Sequence, residues 1–329
     1  MLTDSYGRVA TDLRVSLTDR CNLRCTYCMP AEGLDWLPKP ELLSAPELGR
    51  LIRVGVTHLG IREIRFTGGE PMLRRELPEI IAAATELEPR PHTALTTNGI
   101  GLRKMAPELA RTGLDRVNVS LDTLDAETFH QLARRRRLDD VLDGLAGAAE
   151  AGLTPVKVNT VLMRDVNDHE APELLRYCLD NGYELRFIEQ MPLDAQHGWR
   201  RDTMITADEI LERLSASFHL EAADVEERGS APAESFLVDG GPQRVGVIGS
   251  VTRPFCGACD RVRLTADGQI RNCLFAREES DLRGALRSGA DDAELAERWR
   301  AAVATKMPGH GINDPSFLQP ARPMSAIGG

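Results

Sequence analysis

The sequence predicts an α/β fold with parallel strands, arranged either as a doubly wound sheet or as an incomplete (βα) barrel. Between residues 12 and 189, six short β-branched runs alternate with longer segments whose apolar residues recur at helical spacing. Most of these helical segments end in glycine, as helices commonly do. Repeated strand–helix units place strands in parallel, joined by right-handed crossovers. The predicted strands span residues 13–17, 63–66, 93–97, 116–120, 156–161 and 185–188.

The alternation ends after about residue 190, and a different region follows. The stretch 222–243 is acidic and rich in glycine and proline, which predicts a surface loop. Further along, the Asp267-Gly268 pair predicts a tight hairpin. The elements predicted after the loop are a strand at 244–251, hairpin strands at 260–265 and 269–274, and helices at 281–288 and 292–304. We therefore expect two domains, 1–221 and 222–329.

Composition and charge narrow the class of protein. The 329-residue chain carries a formal net charge of −10 and a pI near 5.3, which argues against nucleic-acid binding. No apolar run approaches the roughly 20 residues of a membrane span, and the first residues lack the apolar core of a signal peptide. We therefore expect a cytoplasmic protein without a membrane segment. In a reducing compartment its seven cysteines predict metal binding or catalysis rather than disulfides.

Residues that can carry chemistry follow four of the predicted strands at their carboxyl ends. A cysteine-rich loop follows the first strand and the sequence TGGEP, at 67–71, follows the second. The sequence TNG, at 97–99, follows the third, and Leu121-Asp122 follows the fourth. The carboxyl ends of parallel strands form the ligand-binding face in barrels and open α/β sheets alike. The four motifs therefore predict the mouth of an active site.

Three cysteines lie within eight residues of the first loop, at Cys21, Cys25 and Cys28, and no histidine is near them. Three thiolates suit an iron–sulfur cube, and a cube held by three cysteines leaves one iron open to a small molecule. A structural zinc site is the alternative. The two glycines of GGEP would let the backbone approach a ligand closely, although such a sequence also forms ordinary tight turns.

A second group of three cysteines comprises Cys256, Cys259 and Cys273, the last on the far strand of the predicted hairpin. We expect a second cluster here, and the alternative is a zinc site completed by a distant histidine such as His310. Cys178 lies at helical spacing from apolar residues and is expected in the core.

Two arginines next to this second group, Arg261 and Arg263, alternate along one strand and therefore share a face. Paired guanidinium groups suit a phosphate or a purine edge, and the alternative is a solvent-facing pair.

The cysteine loop and GGEP together resemble the radical S-adenosylmethionine (SAM) superfamily. The whole set of motifs resembles one family in it, the GTP 3′,8-cyclases, which act first in molybdenum cofactor biosynthesis. The resemblance extends from about residue 4 to residue 329. It is carried by DSYGRVATDLRVSLTDRCNLRCTYCMP, IREIRFTGGEPMLR, TTNG, VNVSLDTLD, PVKVNTV, RFIEQMP, FCGACDRVRLTADGQIRNCLF and MSAIGG.

This resemblance implies a fold, a reaction and cofactors. The fold would be an incomplete (βα)6 TIM-type barrel whose mouth is closed by a C-terminal α+β region. The reaction would be the radical cyclisation of GTP to (8S)-3′,8-cyclo-7,8-dihydroguanosine 5′-triphosphate. The cofactors would be SAM and two [4Fe–4S] clusters, one on each group of three cysteines.

The resemblance also implies roles for single residues. The residues expected to bind SAM are Tyr27, Gly69, Ser120 and Met191. The residues expected to bind GTP are Arg14, Arg65, Thr96, Lys157, Arg261, Val262 and Arg263. Catalytic roles are expected for Arg186 and for the Gly328-Gly329 tail, which would enter the active site.

Partners follow from the same resemblance. They are an electron donor such as flavodoxin or ferredoxin, and a cyclic pyranopterin monophosphate synthase that takes the product. A monomer or a homodimer is expected.

The chain departs from the family pattern at two places. Asp260 replaces the usual asparagine, and the arginine run at 134–137 together with Leu138 replaces a loop that contains threonine and glycine. We expect the first to alter hydrogen bonding near the second cluster slightly, and the second to be a solvated patch without a chemical role.

Two other functions are compatible with the motifs. One is a different radical SAM enzyme with an auxiliary cluster, such as a peptide maturase, although such enzymes usually carry more auxiliary cysteines. The other is an iron–sulfur nucleotide sensor or electron carrier, whose clusters are normally fully ligated.

Overall fold

A long sheet organises the residues that the computed structural model describes, 1–224 and 228–328. The strands of this part of the chain are β1 (Leu2–Thr3), β2 (Val9–Ala10), β3 (Asp12–Ser16), β4 (Glu63–Thr67), β5 (His92–Thr97), β6 (Arg116–Ser120), β7 (Lys157–Val161), β8 (Glu184–Ile188), β9 (Leu220–Ala222), β10 (Glu234–Val238), β11 (Arg244–Ile248), β12 (Arg261–Leu264), β13 (Gln269–Arg271) and β14 (Ser280–Asp281).

The α-helices lie mostly between consecutive strands of this sheet. Within the same described ranges they are α1 (Ala45–Leu59), α2 (Leu77–Thr85), α3 (Leu102–Arg111), α4 (Ala126–Ala133), α5 (Leu138–Glu150), α6 (Ala171–Asp180), α7 (Ala207–Ser215), α8 (Arg283–Arg287), α9 (Asp292–Ala304) and α10 (Met324–Ile327).

The strand order confirms the predicted α/β fold with an incomplete barrel. Strands β3 to β8 pair in sequence, each parallel to the next. The sheet continues at both sides with C-terminal strands, because β12 is parallel to β3 and β11 is parallel to β8. Across residues 1–224 and 228–328 the order is β14-β13-β12-β3-β4-β5-β6-β7-β8-β11-β10-β9, and the two ends do not pair.

The six predicted strands and the last long helix lie where the sequence pattern placed them, within one residue at each end. The surface loop predicted at 222–243 was wrong in part, because Glu234–Val238 forms β10 and pairs antiparallel with β11. Its short ESFLV run is flanked by charged, glycine and proline residues, which hid the strand in the composition of the segment.

The helices cover the sheet because their apolar residues fall on one face. In α1, Ser44 and Glu47 form a capping box at the N-terminus, and Gly60, at φ +82°, ends the helix. The buried face of α1 lies close to α9, where a Cβ on Gly55 would stand 3.7 Å from the fully buried Trp299. This layer packs against the sheet whose strand ends carry the motifs.

A second, smaller core lies over those carboxyl ends. Its buried members come from the segments after β8 and β11, from the turn after β13, and from the last described residues. They are Leu193, Met204, Val251, Phe275, Ile312 and Ile327. This packing holds C-terminal segments against the mouth of the partial barrel.

In the described residues, no helix combines the length and apolarity that crossing a lipid bilayer would require.

Candidate active site

The first three cysteines lie in the loop between β3 and α1, at the carboxyl end of β3. All three are free thiols and line one cavity of about 220 Å³. The end of α4 fixes the loop, because the backbone N–H groups of Arg24 and Thr26 donate to the carbonyls of Ala133 and Leu132 at 3.1 and 2.9 Å. Burial raises the pKa of the Cys28 thiol to about 12, so a metal must displace protons to bind here.

The glycine motif after β4 packs directly on the start of this loop. Gly69 donates its N–H to the carbonyl of Thr18, and Glu70 donates to that of Arg20, both at 2.7 Å. A Cβ on Gly69 would stand 2.4 Å from the carbonyl oxygens of Asp19 and Arg20, closer than any side chain allows. Glycine is therefore required for this contact, which joins the motif after β4 to the cysteine loop.

The carboxylate of Glu70 links the motifs after β4 and β5. It accepts hydrogen bonds from the N–H of Met72 at 3.0 Å, the hydroxyl of Thr97 at 2.7 Å and the N–H of Asn98 at 2.7 Å. Burial raises the pKa of this carboxyl group. The acid of GGEP is thus a structural brace inside the site.

A partly buried acid after β6, Asp122, fastens the cysteine loop from the other side. The hydroxyl of Tyr27 donates to Asp122 Oδ2 at 2.7 Å, and the N–H of Val161 donates to Oδ1 at 2.9 Å. Burial raises the pKa of Asp122 to about 6. Since Tyr27 lies between Cys25 and Cys28, this bond positions the two cysteines relative to the strand ends.

The second group of cysteines lines another cavity, of about 190 Å³. Cys256 and Cys259 precede β12, Cys273 follows β13, and all are free thiols. His310 does not complete a zinc site, because its Nε2 bonds the carbonyl of Ser250 at 3.0 Å and its Nδ1 accepts from the N–H of Ile312 at 3.1 Å. In the described part of the chain, no three His, Cys, Asp or Glu side chains are close enough to hold a single metal ion.

The loop that leads to Cys256 depends on a buried acid that the sequence analysis did not single out. The carboxylate of Glu189, after β8, accepts from the N–H of Ala207 at 2.7 Å and from the N–H groups of Val251 and Thr252 at 2.7 and 2.9 Å. The hydroxyl of Thr252 donates to it as well. These partners come from two segments, at Ala207 and at Val251-Thr252, which are distant from Glu189 in the chain, so no local pattern predicts them.

Arginines dominate the polar lining of the second cavity. They are Arg14, Arg65, Arg186, Arg261 and Arg263. Burial lowers the pKa of Arg65 well below its usual range, and burial with neighbouring guanidinium groups lowers those of Arg186 and Arg263 to about 9. The Nε atoms of Arg65 and Arg186 are buried without a hydrogen-bond partner among the residues that the structure covers. This cavity therefore has the charge and the free donors to receive a polyanion.

One carboxylate partly balances this charge. Asp12 forms an ion pair with Arg14, with 3.0 Å between Oδ2 and Nη2. Burial acts to raise the pKa of Asp12, but Arg14 and Arg65 outweigh burial and hold it at about 2. Asp12 was not singled out from the sequence; it shares β3 with Arg14, but its second arginine, Arg65, comes from the neighbouring β4.

Asn118 organises another part of the same lining. Its Oδ1 accepts from Arg116 at 3.1 Å and from Arg186 at 2.9 Å, and its Nδ2 donates to the hydroxyl of Thr96 at 3.2 Å. The side chain is fully buried and connects β5, β6 and β8. It orients Thr96 and Arg186, both of which the sequence analysis had singled out.

The two cavities adjoin. Thr96, Asn159, Ile188 and Met324 line both of them, and we call these four residues the shared wall. Asn159 Oδ1 is buried without a hydrogen-bond partner in residues 1–224 and 228–328, so it is available to a ligand. The geometry places whatever binds beside the first cysteines next to whatever binds among the arginines.

The structure brings together most of the residues predicted to bind SAM. Tyr27, Gly69 and Ser120 line the first cavity. Met191 lines the second cavity instead, among the residues that surround the second cysteine group. Its role toward SAM stays a prediction.

The residues predicted to bind GTP lie in three places: the second cavity, the hydrophobic core and a third cavity. Arg14, Arg65, Thr96, Arg261 and Arg263 line the second cavity. The side chain of Val262 lies in the core, which leaves its backbone for contact.

Lys157 lines a third cavity that also contains Arg186, and its Nζ lies 2.5 Å from the carboxylate of Glu184. Among the residues predicted to be catalytic, Arg186 lines the second and third cavities. Gly328 accepts a hydrogen bond from Arg263 Nε at 3.3 Å, and Gly329 lies outside the described residues.

The two departures from the family pattern have structural partners. Asp260 Oδ2 accepts from the hydroxyl of Thr11 at 3.0 Å, which ties the second cysteine loop to the start of β3. Arg134 Nη1 donates to the carbonyls of Arg24 and Met29 at 3.2 and 3.0 Å. The prediction of a solvated patch was therefore wrong for Arg134, which braces the first cysteine loop, and for Leu138, which is buried. The three arginines between them are exposed.

Known proteins match both the region of the first cysteine group and the region of the second. Residues 15–178 match the family model of the radical SAM superfamily, and residues 183–312 match that of Molybdenum Cofactor Synthesis C. The chain is 67% identical to GTP 3′,8-cyclase of Streptomyces coelicolor over 100% of this chain and 96% of the relative. It is 63% identical to GTP 3′,8-cyclase of Mycolicibacterium smegmatis over 100% of this chain and 92% of the relative.

Solved structures agree with the fold. Superposition on the crystal structure of Streptococcus suis SuiB gives a TM-score of 0.64 at 15% sequence identity. The match covers 93% of this chain and 68% of that one. The structure of SuiB bound to S-adenosylmethionine gives 0.62 at 16% identity, over 85% of this chain and 66% of that one. At these identities the likeness concerns the fold alone.

Proposed function

The chain belongs to the GTP 3′,8-cyclase family, and from this premise we propose that its two adjoining cavities hold SAM and GTP side by side. Enzymes of this family use radical SAM chemistry in the first step of molybdenum cofactor biosynthesis, and this chain is an enzyme of that step. The observation that carries the proposal is the shared wall, since it makes the cavity of the first cysteines and the arginine-lined cavity neighbours.

The residues present fit the two [4Fe–4S] clusters and the SAM that the family uses. Each group supplies three free thiols around a cavity, which is the donor set for a cube with one open iron. The ligands would be Cys21, Cys25 and Cys28 in the first cavity, and Cys256, Cys259 and Cys273 in the second. When bound, the first cluster and SAM supply the radical that removes a hydrogen atom from the ribose of GTP.

Residues around the first cluster would hold SAM in place. We propose that the backbone of Gly69 meets the amino group of SAM, since that strand end packs without side chains against the cysteine loop. Tyr27 and Ser120 line the same cavity and would contact the nucleoside. Met191 would reach SAM from the side of the second cavity.

Residues of the second cavity would bind the triphosphate and the base of GTP. The buried arginines supply positive charge and unpaired donors, which an anionic ligand would satisfy. Lys157 would extend this positive lining through the third cavity, which shares Arg186 with the second. The chain's own contribution is then to fix the ribose near the shared wall and to exclude water.

The Gly328-Gly329 tail and the partners complete the proposal. Gly328 lies against Arg263, so the tail would act beside the substrate. We further propose domains at 1–221 and 222–329, a cytoplasmic location, and a monomer or homodimer. A low-potential donor such as flavodoxin or ferredoxin would reduce the first cluster, and a cyclic pyranopterin monophosphate synthase would take the product.

The experiment is an anaerobic assay of the reconstituted full chain with SAM, GTP and dithionite. We expect about eight iron atoms per chain, 5′-deoxyadenosine, and a cyclised guanosine triphosphate in equal amount. Omission of GTP, or its replacement by ATP, is the matched control and should abolish the coupled product. Iron near four per chain, or 5′-deoxyadenosine that forms regardless of GTP, would contradict the proposal.

A further inference from the structure

A buried lysine with no role so far lies against the second cysteine group. Lys306 follows α9, and 5% of it is exposed to solvent. Its Nζ donates to the backbone carbonyl of Cys259 at 3.1 Å and to that of Arg261 at 2.9 Å. The same nitrogen donates to Cys259 Sγ at 3.4 Å. These three acceptors use all three protons of an ammonium group.

The contact with sulfur distinguishes Cys259 from its partner Cys256. The hydrogen bond from the ammonium group reaches Cys259 Sγ, and the structure gives Lys306 Nζ no such contact with Cys256 Sγ within residues 1–224 and 228–328. The ammonium group therefore stabilises negative charge on one particular cysteine sulfur of the site.

The two backbone contacts connect that sulfur to the substrate side. Arg261 begins β12 and lines the second cavity. Lys306 Nζ donates to the carbonyl oxygens of both Cys259 and Arg261. These two bonds fix the backbone of the cysteine relative to the backbone of the arginine. The three acceptors need three donors, which an ammonium group supplies and a side-chain amide, with two, does not.

We propose that Lys306 is a positioning residue of the second cluster, whose ammonium group donates to the Cys259 ligand and sets the reduction potential of that cluster. The inference depends on the proposed function, because it requires a cluster on these three cysteines. A cation hydrogen-bonded to a ligand sulfur favours the reduced, more negative state of a cluster. Loss of the cation should therefore shift the potential to more negative values.

The test compares Lys306→Met and Lys306→Arg with the parent chain, all reconstituted anaerobically. Potentials are measured by electron paramagnetic resonance during redox titration. A full-length chain with Cys21→Ala, Cys25→Ala and Cys28→Ala identifies the signal of the second cluster. Lys104→Met, which removes an exposed lysine on α3, is the matched control.

We expect a more negative potential in Lys306→Met, a value near that of the parent in Lys306→Arg, and no change in Lys104→Met. An intact cluster with an unchanged potential in Lys306→Met would overturn the inference. If Lys306→Met does not retain iron, Lys306→Gln takes its place, and a potential equal to that of the parent would overturn the inference equally. A parent chain without iron on the second cysteines would instead overturn the proposed function.

Discussion

Arg263 and Gly328 are joined by a hydrogen bond from Nε to the backbone carbonyl, 3.3 Å long. Gly328 has φ +85°, and a Cβ there would stand 2.9 Å from Thr67 Cγ2 and 3.0 Å from Ser16 Cβ. Thr67 and Ser16 are the last residues of β4 and β3. The contact therefore places the last described residue over the strand ends, beside the arginine cavity.

Replacement of Gly328 by alanine should reduce turnover without unfolding the protein. The new methyl group would displace the segment from its place against Arg263, and small displacements near a reacting centre cost on the order of tenfold to a hundredfold in rate. Turnover of GTP is the measurement, with the thermal midpoint as a check on folding. Gly309→Ala is the control, because a Cβ there meets nothing within 4 Å. Equal turnover in the two variants would contradict the prediction.

Asp12→Asn should lower stability in a manner that depends on pH. The pKa of Asp12 is about 2 in the fold against 3.8 ordinarily, so the carboxylate stabilises the fold above about pH 4. That stability is lost as pH falls toward 2. Since each pKa unit corresponds to about 1.4 kcal/mol, the free energy of unfolding of the variant should be about 2 kcal/mol lower at pH 7. Urea unfolding of the protein without cofactors at pH 7, 5 and 3 measures the difference.

The exposed Asp139→Asn is the control for this series and should change little at any pH. A loss in Asp12→Asn that is equally large at pH 7 and pH 3 would mean that the ion pair with Arg14 is not its cause.

Gly69→Ala should weaken SAM binding at least roughly tenfold, because a methyl group 2.4 Å from two carbonyl oxygens must push the glycine motif off the cysteine loop. Isothermal titration of SAM into the reconstituted protein gives the affinity. Gly257→Ala, beside the second cysteine group, serves as the control because a Cβ at that site has no neighbour within 4 Å. Unchanged affinity in Gly69→Ala would refute the proposed contact with SAM.

Glu189→Gln should destabilise the fold by about 2 kcal/mol and loosen the loop before Cys256. The carboxylate accepts several hydrogen bonds, and an amide would direct donors toward donors such as the N–H of Val251. Urea unfolding measures the loss, and iron retention in the second site measures the loosening. Glu212→Gln, on the exposed side of α7, should leave both unchanged. Wild-type stability in Glu189→Gln would show that the loop is held by other contacts.

Local patterns explain what the sequence predicted well. The six strands follow from short apolar runs, and the cysteines and Gly69 follow from motifs whose members are adjacent in the chain. The sequence did not predict the roles of Asn118, Glu189 and Lys306. Each of them acts through partners from distant segments that only the fold brings together. Each is polar and buried, a combination that composition cannot reveal.

The shared wall has a thermodynamic consequence. Its four residues line both cavities, so ligands in the two cavities would meet the same residues. By linkage, the factor by which SAM changes the affinity for GTP equals the factor by which GTP changes the affinity for SAM. A single bisubstrate inhibitor that crosses this boundary would draw on both binding energies at once, and Asn159 is the natural point for its linker to cross.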